Sequence, residues 1–215
     1  KDSLAVFTDV VSPWNLTSRV FKQIFSLQSV GVKGDWSNYT LFPAVFKKAG
    51  YHVSFLSNQF PYGINYTPDW TNNLSGGFFL NHPQQNKQMF DYRNTNIHEY
   101  DEELLNDYKN IGIKEKSQLI IFHLLGQHFQ YSLRCKSNMK RFGINDYPRT
   151  DLTKEEKQTI ADYDNATLYN DYVLSKIIEQ FKDKEAIVIY LSDHGEDCYG
   201  KDAQIAGRLT EAEQI

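Results

Sequence analysis

No run in this 215-residue chain approaches the roughly 18 consecutive apolar residues that a bilayer-spanning helix needs. No signal peptide opens it. Long basic runs are missing too. Against 27 Asp and Glu stand 23 Lys and Arg, a net charge of −4, which gives no support to a nucleic-acid footprint. Cysteine is scarce, with Cys135 and Cys198 the whole complement. Such a pair fits a reducing or an oxidising compartment. Repeats and low-complexity tracts are also absent. What remains is the length and composition of one α/β domain, or one domain with an incomplete end. Hydrophobic residues make up 40% of the chain, enough for a substantial core. Lys1 leads almost at once into apolar Leu4-Ala5-Val6-Phe7, an abrupt start expected of a fragment boundary.

Short β-rich runs alternate with helical patterns, which predicts a mainly parallel sheet flanked by helices on both faces. The first strand is expected over Leu4 to Val11. After the turn Ser12-Pro13-Trp14-Asn15, a helix is expected from Thr17 to Leu27. A second helix covers Leu41 to Lys48 and stops at Gly50. Tyr51 to Leu56 reads as a strand. Residues 60 to 98 form a long polar and aromatic excursion, with a short strand at Phe78 to Leu80. Asp101 to Tyr108 is a short helix, and Gln118 to Leu125 has the near-continuous apolarity of a buried parallel strand. Thr153-Lys154-Glu155-Glu156 matches a capping box. The helix behind it extends to about Lys182, with Ile160, Tyr163, Thr167, Leu174, Ile178 and Phe181 on one face. Ala186 to Leu191 reads as another buried strand.

Three strand candidates end in polar clusters: Ser57-Asn58-Gln59, Gly126-Gln127-His128 and Ser192-Asp193-His194. Sites in open α/β sheets form at the carboxyl ends of strands. Adjacent Asp193 and His194 offer a carboxylate oxygen and an imidazole nitrogen to a metal, and Gly195 lets the backbone turn sharply beside it. The plain alternative is a helix-capping Asp beside a surface His; a buried strand feeding the motif favours the metal. His123 reads as a satisfied core histidine or a site residue. His128 reads as a ligand, a phosphate contact or a solvated loop histidine. Thr17 opens a helix, where it is an N-cap or a nucleophile beside the anion-favouring helix end. Cys135 and Cys198 lie on loops leaving the same sheet edge, a layout that allows a disulfide without requiring one.

Together these segments resemble the phosphoethanolamine transferases of the alkaline phosphatase and sulfatase superfamily. Phe7-Thr8-Asp9-Val10-Val11-Ser12-Pro13 through Thr17 resembles that family's nucleophile segment, with Thr17 at its threonine. Phe42-Pro43-Ala44-Val45-Phe46-Lys47-Lys48-Ala49-Gly50-Tyr51 resembles the elements before its Ser-Asn-Gln, here Ser57-Asn58-Gln59. His123-Leu124-Leu125-Gly126-Gln127-His128 through Tyr131 and Arg134 is similar to its His-x-x-Gly-Ser-His segment, with Gln127 where many members have Ser. Tyr163 to Leu174 resembles the helix before its last metal motif, here Ser192-Asp193-His194-Gly195-Glu196. The segments run in family order over nearly the whole chain.

The resemblance implies an alkaline phosphatase/sulfatase-like catalytic domain over residues 1–215, incomplete at both ends, whose membrane-spanning N-terminal part lies outside it. It implies zinc held by Thr17, Asp193 and His194, with Thr17 as nucleophile. Asn58 and His128 would contact the phosphoryl group or a second metal. Thr17 would take phosphoethanolamine from phosphatidylethanolamine as a phosphothreonine, then pass it to lipid A or another envelope glycan. The implied location is the periplasmic side of the inner membrane, with no nucleic-acid partner. The family's upstream acidic ligand and downstream histidine have no counterpart here, so weak zinc binding is expected of residues 1–215 alone. Two other readings stand. One is a sulfatase or phosphatase-type hydrolase of the superfamily, although Ser12-Pro13 does not fit a Cys/Ser-x-Pro-x-Arg maturation site. The other is a non-catalytic domain that kept the fold.

Overall fold

The computed structural model describes residues 4–59, 87–112, 117–200 and 205–207. Its centre is a parallel pair, β1 (His52–Ser57) and β3 (Gln118–His123), in register from His52 opposite Gln118 to Ser57 opposite His123. The short β2 (Tyr92–Arg93) pairs in parallel on the other side of β1, giving the order β2-β1-β3. Both long strands fall within a residue or two of their expected spans, the usual uncertainty at element ends.

The pleat sends alternate residues to opposite faces. Val53 and Phe55 of β1, with Leu119 and Ile121 of β3, face α1 (Thr17–Phe25) and α2 (Phe42–Lys48). Phe21, Phe25, Leu41, Met89 and Phe90 close that core. Phe55 stacks on Phe90 at 5.0 Å and meets Phe25 edge-on at 5.8 Å. Each such ring pair adds about 0.5–1.5 kcal/mol beyond its area burial. On the other face, Phe122 and Leu124 pack near Leu105 of α3 (Leu104–Ile111) and Tyr169, Val173 and Ile177 of α4 (Lys154–Glu179). Helices therefore cover both faces, as expected.

Local sequence explains the helix ends. Pro43 sits in the first turn of α2, where a missing N–H costs nothing. Gly50, with φ +88°, lets the chain turn from α2 into β1. The expected helix at Asp101 begins as a 3-10 turn, Asp101–Glu103, before α3. The capping box forms as read: the Glu156 amide donates to Thr153 Oγ1 at 3.2 Å, and the Thr153 amide to Glu156 Oε2 at 2.7 Å.

Three expectations need correction. α4 buries Ala161, Asn165, Ala166, Tyr169, Asn170, Val173 and Ile177, not the face through Thr167 and Ile178; Thr167 is exposed and Ile178 is 45% exposed. The reason is that two asparagines turn inward, Asn165 to satisfy loop backbone and Asn170 to donate to the Tyr190 hydroxyl at 3.2 Å. Asn165 Oδ1 accepts from the Arg141 and Phe142 amides, and its Nδ2 donates to the Phe142 carbonyl. Leu4 to Val11 and Ala186 to Leu191 have no regular secondary structure and form no strand among the described residues. Leu4 is 89% exposed and Ile187 91%, so apolarity alone did not bring them a ladder partner. The strand expected at Phe78 to Leu80 lies outside the described residues. A small antiparallel pair, β4 (Asp197–Cys198) and β5 (Ala206–Gly207), follows the last motif. Among the described residues no helix is long and apolar enough to cross a membrane.

Candidate active site

Thr17 is the first residue of α1; the cap position is Leu16, which offers no side-chain cap. The first-turn amides of a helix lack intrahelical acceptors, and α1 has no acidic residue there to compete for them. Buried Val20, Phe21 and Phe25 anchor the helix to the sheet and so fix where its N-terminus points. It points at the last motif: Thr17 Oγ1 lies 3.4 Å from His194 Nε2.

The Asp193–His194 loop is pinned by its own hydrogen bonds. Ser192 Oγ donates to the His194 carbonyl at 2.7 Å, and the His194 amide donates to Asp193 Oδ1 at 3.0 Å. His194 Nδ1 faces the Gly195 carbonyl at 2.9 Å. A carbonyl only accepts, so Nδ1 carries the proton and Nε2 presents its lone pair. Asp193 Oδ2 lies 3.4 Å from that same Nε2. Electron-rich atoms of a carboxylate, an imidazole and a hydroxyl thus converge, with the His194 side chain 7% exposed and Asp193 30%. Tetrahedral zinc with bonds of about 2.0–2.1 Å sets its ligand atoms about 3.3 Å apart. The two spacings to His194 Nε2, from Thr17 Oγ1 and from Asp193 Oδ2, fit that ion. Among the described residues no group of three or more His, Cys, Asp or Glu is placed to hold a metal ion.

The strand ends supply the rest. His123 is buried beneath the site, its Nδ1 2.9 Å from Ser57 Oγ and its ring 4.5 Å from that of Phe21. Burial pushes its pKa down to about 4; Asp193 opposes that shift, while Arg93 and His128 add to it. It is the satisfied core histidine of the two readings. His128 follows a turn in which its amide donates to the Leu125 carbonyl at 3.1 Å; its ring is half-buried against Phe129.

Asn58 is 1% exposed. Its Nδ2 donates to Asp101 Oδ1 at 2.8 Å and its Oδ1 accepts from the His98 amide at 2.7 Å. Its side-chain amide ties the end of β1 to the loop at His98 and to Asp101. Asp101 was missed in the sequence. Buried at the mouth of β1 and β3, it also accepts from the Leu125 amide at 3.0 Å and the Gly126 amide at 2.8 Å. Its helix-opening position resembles an ordinary cap, so sequence gave no separate signal. Gly126, at φ +56°, takes the left-handed turn that leads to His128.

Beyond Gly195 a cavity of about 500 Å³ opens between Tyr163, Asp164, Glu196 and Cys198. The Tyr131 hydroxyl donates to Glu196, and burial together with that carboxylate raises the Tyr131 pKa. Cys135 and Cys198 are both free thiols. Burial, with Asp164, Asp197 and Glu196 nearby, pushes the Cys198 pKa up to about 12.

A parallel sheet covered on both faces, with an Asp-His pair meeting a helix-opening threonine, is the arrangement of a sulfatase-type catalytic domain. The Sulfatase family model matches residues 1–214, and the chain belongs to that family. Within it, the chain is similar to phosphoethanolamine transferase EptC of Escherichia coli, at 30% identity over 202 residues, covering 92% of this chain and 34% of that protein. It is also similar to phosphoethanolamine transferase CptA of Salmonella typhimurium, at 32% over 205 residues, covering 91% of this chain and 33% of that protein. The resemblance read from the motifs is thereby borne out. The chain spans about a third of the length of these relatives. Among solved structures, the C-terminal periplasmic domain of EcEptC from Escherichia coli in complex with Zn matches with a TM-score of 0.72 and 26% identity, over 93% of this chain and 55% of that one. The soluble domain of lipooligosaccharide phosphoethanolamine transferase A from Neisseria meningitidis shares the fold, with a TM-score of 0.64 at 22% identity over 94% of this chain and 59% of that one.

Proposed function

We propose that this chain supplies the sulfatase-like catalytic domain of a phosphoethanolamine transferase, with Thr17 as nucleophile. The observation that carries the reading is the approach of both Thr17 Oγ1 and Asp193 Oδ2 to His194 Nε2, each at 3.4 Å. The names of the relatives and the zinc complex of the EcEptC domain support it. Thr17, Asp193 and His194 would hold zinc, which supplies the Lewis acidity that lowers a hydroxyl pKa toward neutrality. Thr17 Oγ1 gives up its proton and forms a bond to the phosphorus of a phosphatidylethanolamine headgroup, while the bond from phosphorus to the diacylglycerol oxygen breaks and that oxygen takes up a proton to leave as diacylglycerol. The start of α1 presents amide N–H groups and a positive helix end to the phosphoryl oxygens. His128, at the rim formed by β3, adds a polar contact to those oxygens. A hydroxyl or phosphate of lipid A or another envelope glycan takes the group from Thr17, on the periplasmic side of the inner membrane.

The test is cleavage of an ethanolamine phospholipid by the intact protein, with and without acceptor. Transfer that needs the acceptor, and a phosphoethanolamine adduct on the peptide containing Thr17, are expected. Equal cleavage without acceptor would assign the site to a hydrolase instead. Near-normal activity in Thr17→Ala would end the nucleophile assignment.

A further inference from the structure

Ser12 joins the two segments that make the site, which are 181 positions apart. Its hydroxyl faces the Asp193 carbonyl at 2.5 Å and the Trp14 carbonyl at 2.8 Å. A hydroxyl has one proton, so the two carbonyls share it. The side chain therefore staples the turn before α1 to the residue that precedes His194. We infer that Ser12 is a positioning residue that sets the register between Thr17 and the Asp193–His194 loop. The inference rests on the reading of Thr17 as nucleophile.

The register has to survive the reaction. The Thr17 to His194 contact uses the reacting oxygen itself. Once Thr17 Oγ1 is bonded to phosphorus, its proton is gone and that contact can no longer be a hydroxyl hydrogen bond. The hydrogen bonds internal to the loop, from Ser192 and from the His194 amide and Nδ1, shape the loop without tying it to α1. Ser12 ties it through a main-chain carbonyl that takes no part in the chemistry, so the tie is the same before and after transfer. The carbonyl it grips belongs to Asp193, the residue whose Oδ2 lies 3.4 Å from His194 Nε2. A slip there moves a carboxylate and an imidazole together, and displacements near 1 Å cost about 100-fold in rate.

Ser12→Ala in the intact protein tests this, alongside Ser12→Thr and a control, Ser26→Ala. The control removes a hydroxyl that donates at 2.5 Å to the Lys22 carbonyl, at the far end of the same helix. Ser12→Ala should lower kcat about tenfold or more, the size of one lost hydrogen bond expressed in the barrier, with KM for the donor within about twofold. It should also weaken zinc binding in a competition titration with the metal alone. Ser12→Thr, which keeps the donor, should recover both. Ser26→Ala should change the thermal midpoint but neither kcat nor zinc affinity. Wild-type kcat and zinc affinity in Ser12→Ala would overturn the inference. So would a loss that Ser12→Thr fails to recover, or one that Ser26→Ala reproduces. If the unmutated protein transfers nothing, the functional reading fails first, and the zinc titration alone decides the role of Ser12.

Discussion

Thr17 and His194 stand 177 positions apart in the chain, yet Oγ1 of one and Nε2 of the other are separated by 3.4 Å. The Nδ1 hydrogen of His194 is committed to the Gly195 carbonyl, so the nitrogen facing Thr17 is the basic one. Replacing that nitrogen should therefore remove metal affinity. In the intact protein, His194→Ala is expected to weaken zinc binding at least about 100-fold, since even losses in the shell behind a ligand cost 10–100-fold. Zinc at 100 times its Kd should stabilise the unmutated protein by about 2.7 kcal/mol and leave the variant unchanged. Thermal melts with and without zinc check both statements.

Asp101 should prove as important to folding as any apolar core residue. Its carboxylate satisfies three donors, from Asn58, Leu125 and Gly126. Asp101→Ala leaves all of them buried without an acceptor, at an expected cost of about 3 kcal/mol. At this chain length that is a fall of roughly 6–12 °C in melting temperature. Asp101→Asn keeps part of the acceptor capacity and should lose less.

His123 predicts an acid-side loss of stability. Its folded pKa is lowered from 6.5 to about 4, chiefly by burial. Above 6.5 it is neutral in both states and costs nothing. Between 6.5 and about 4 the unfolded chain binds a proton that the folded one does not, so stability falls as pH drops. Below about 4 the effect levels off. The whole swing is about 3 kcal/mol. Urea unfolding across that window should show this slope, and His123→Gln should flatten it.

Asn165 supports a counter-intuitive substitution. It lies on the buried face of α4, where hydrophobic patterning would favour leucine. Asn165→Leu adds apolar bulk but strips partners from the Arg141 and Phe142 amides and the Phe142 carbonyl. A loss of about 2–3 kcal/mol is expected, measured by chemical denaturation.

The same residue shows where the sequence could be read and where it could not. β1, β3, α1, α2 and the Thr153 cap follow from periodicity, proline and glycine placement, and short-range side-chain geometry. The meeting of Thr17 with Asp193-His194 was legible through motif order and the rule that sites gather at strand ends. The buried face of α4 was not, because Asn165 and Asn170 read as surface residues until the loops they serve are in place. Ser12 and Asp101 were silent for a related reason. Ser12 reaches the Asp193 carbonyl and Asp101 the Leu125 and Gly126 amides, main-chain groups distant in sequence that have no residue type to recognise. Leu4 to Val11 and Ala186 to Leu191 have the composition of strands, but a strand is also a matter of neighbours.

That last segment affects how the molecule behaves in concentrated solution. Ile187 and Ile189 are 91% and 78% exposed, with Val188, Tyr190 and Leu191 between and beyond them. An exposed, uncharged run rich in β-branched residues is a template for edge-to-edge addition of a second chain. Lys182-Asp183-Lys184-Glu185 on one side and Asp193 on the other bracket it with charge, the arrangement by which gatekeeper residues slow such addition. Colloidal stability of this chain is thus set beside the Asp193-His194 pair, and added salt, which screens those charges, works against it.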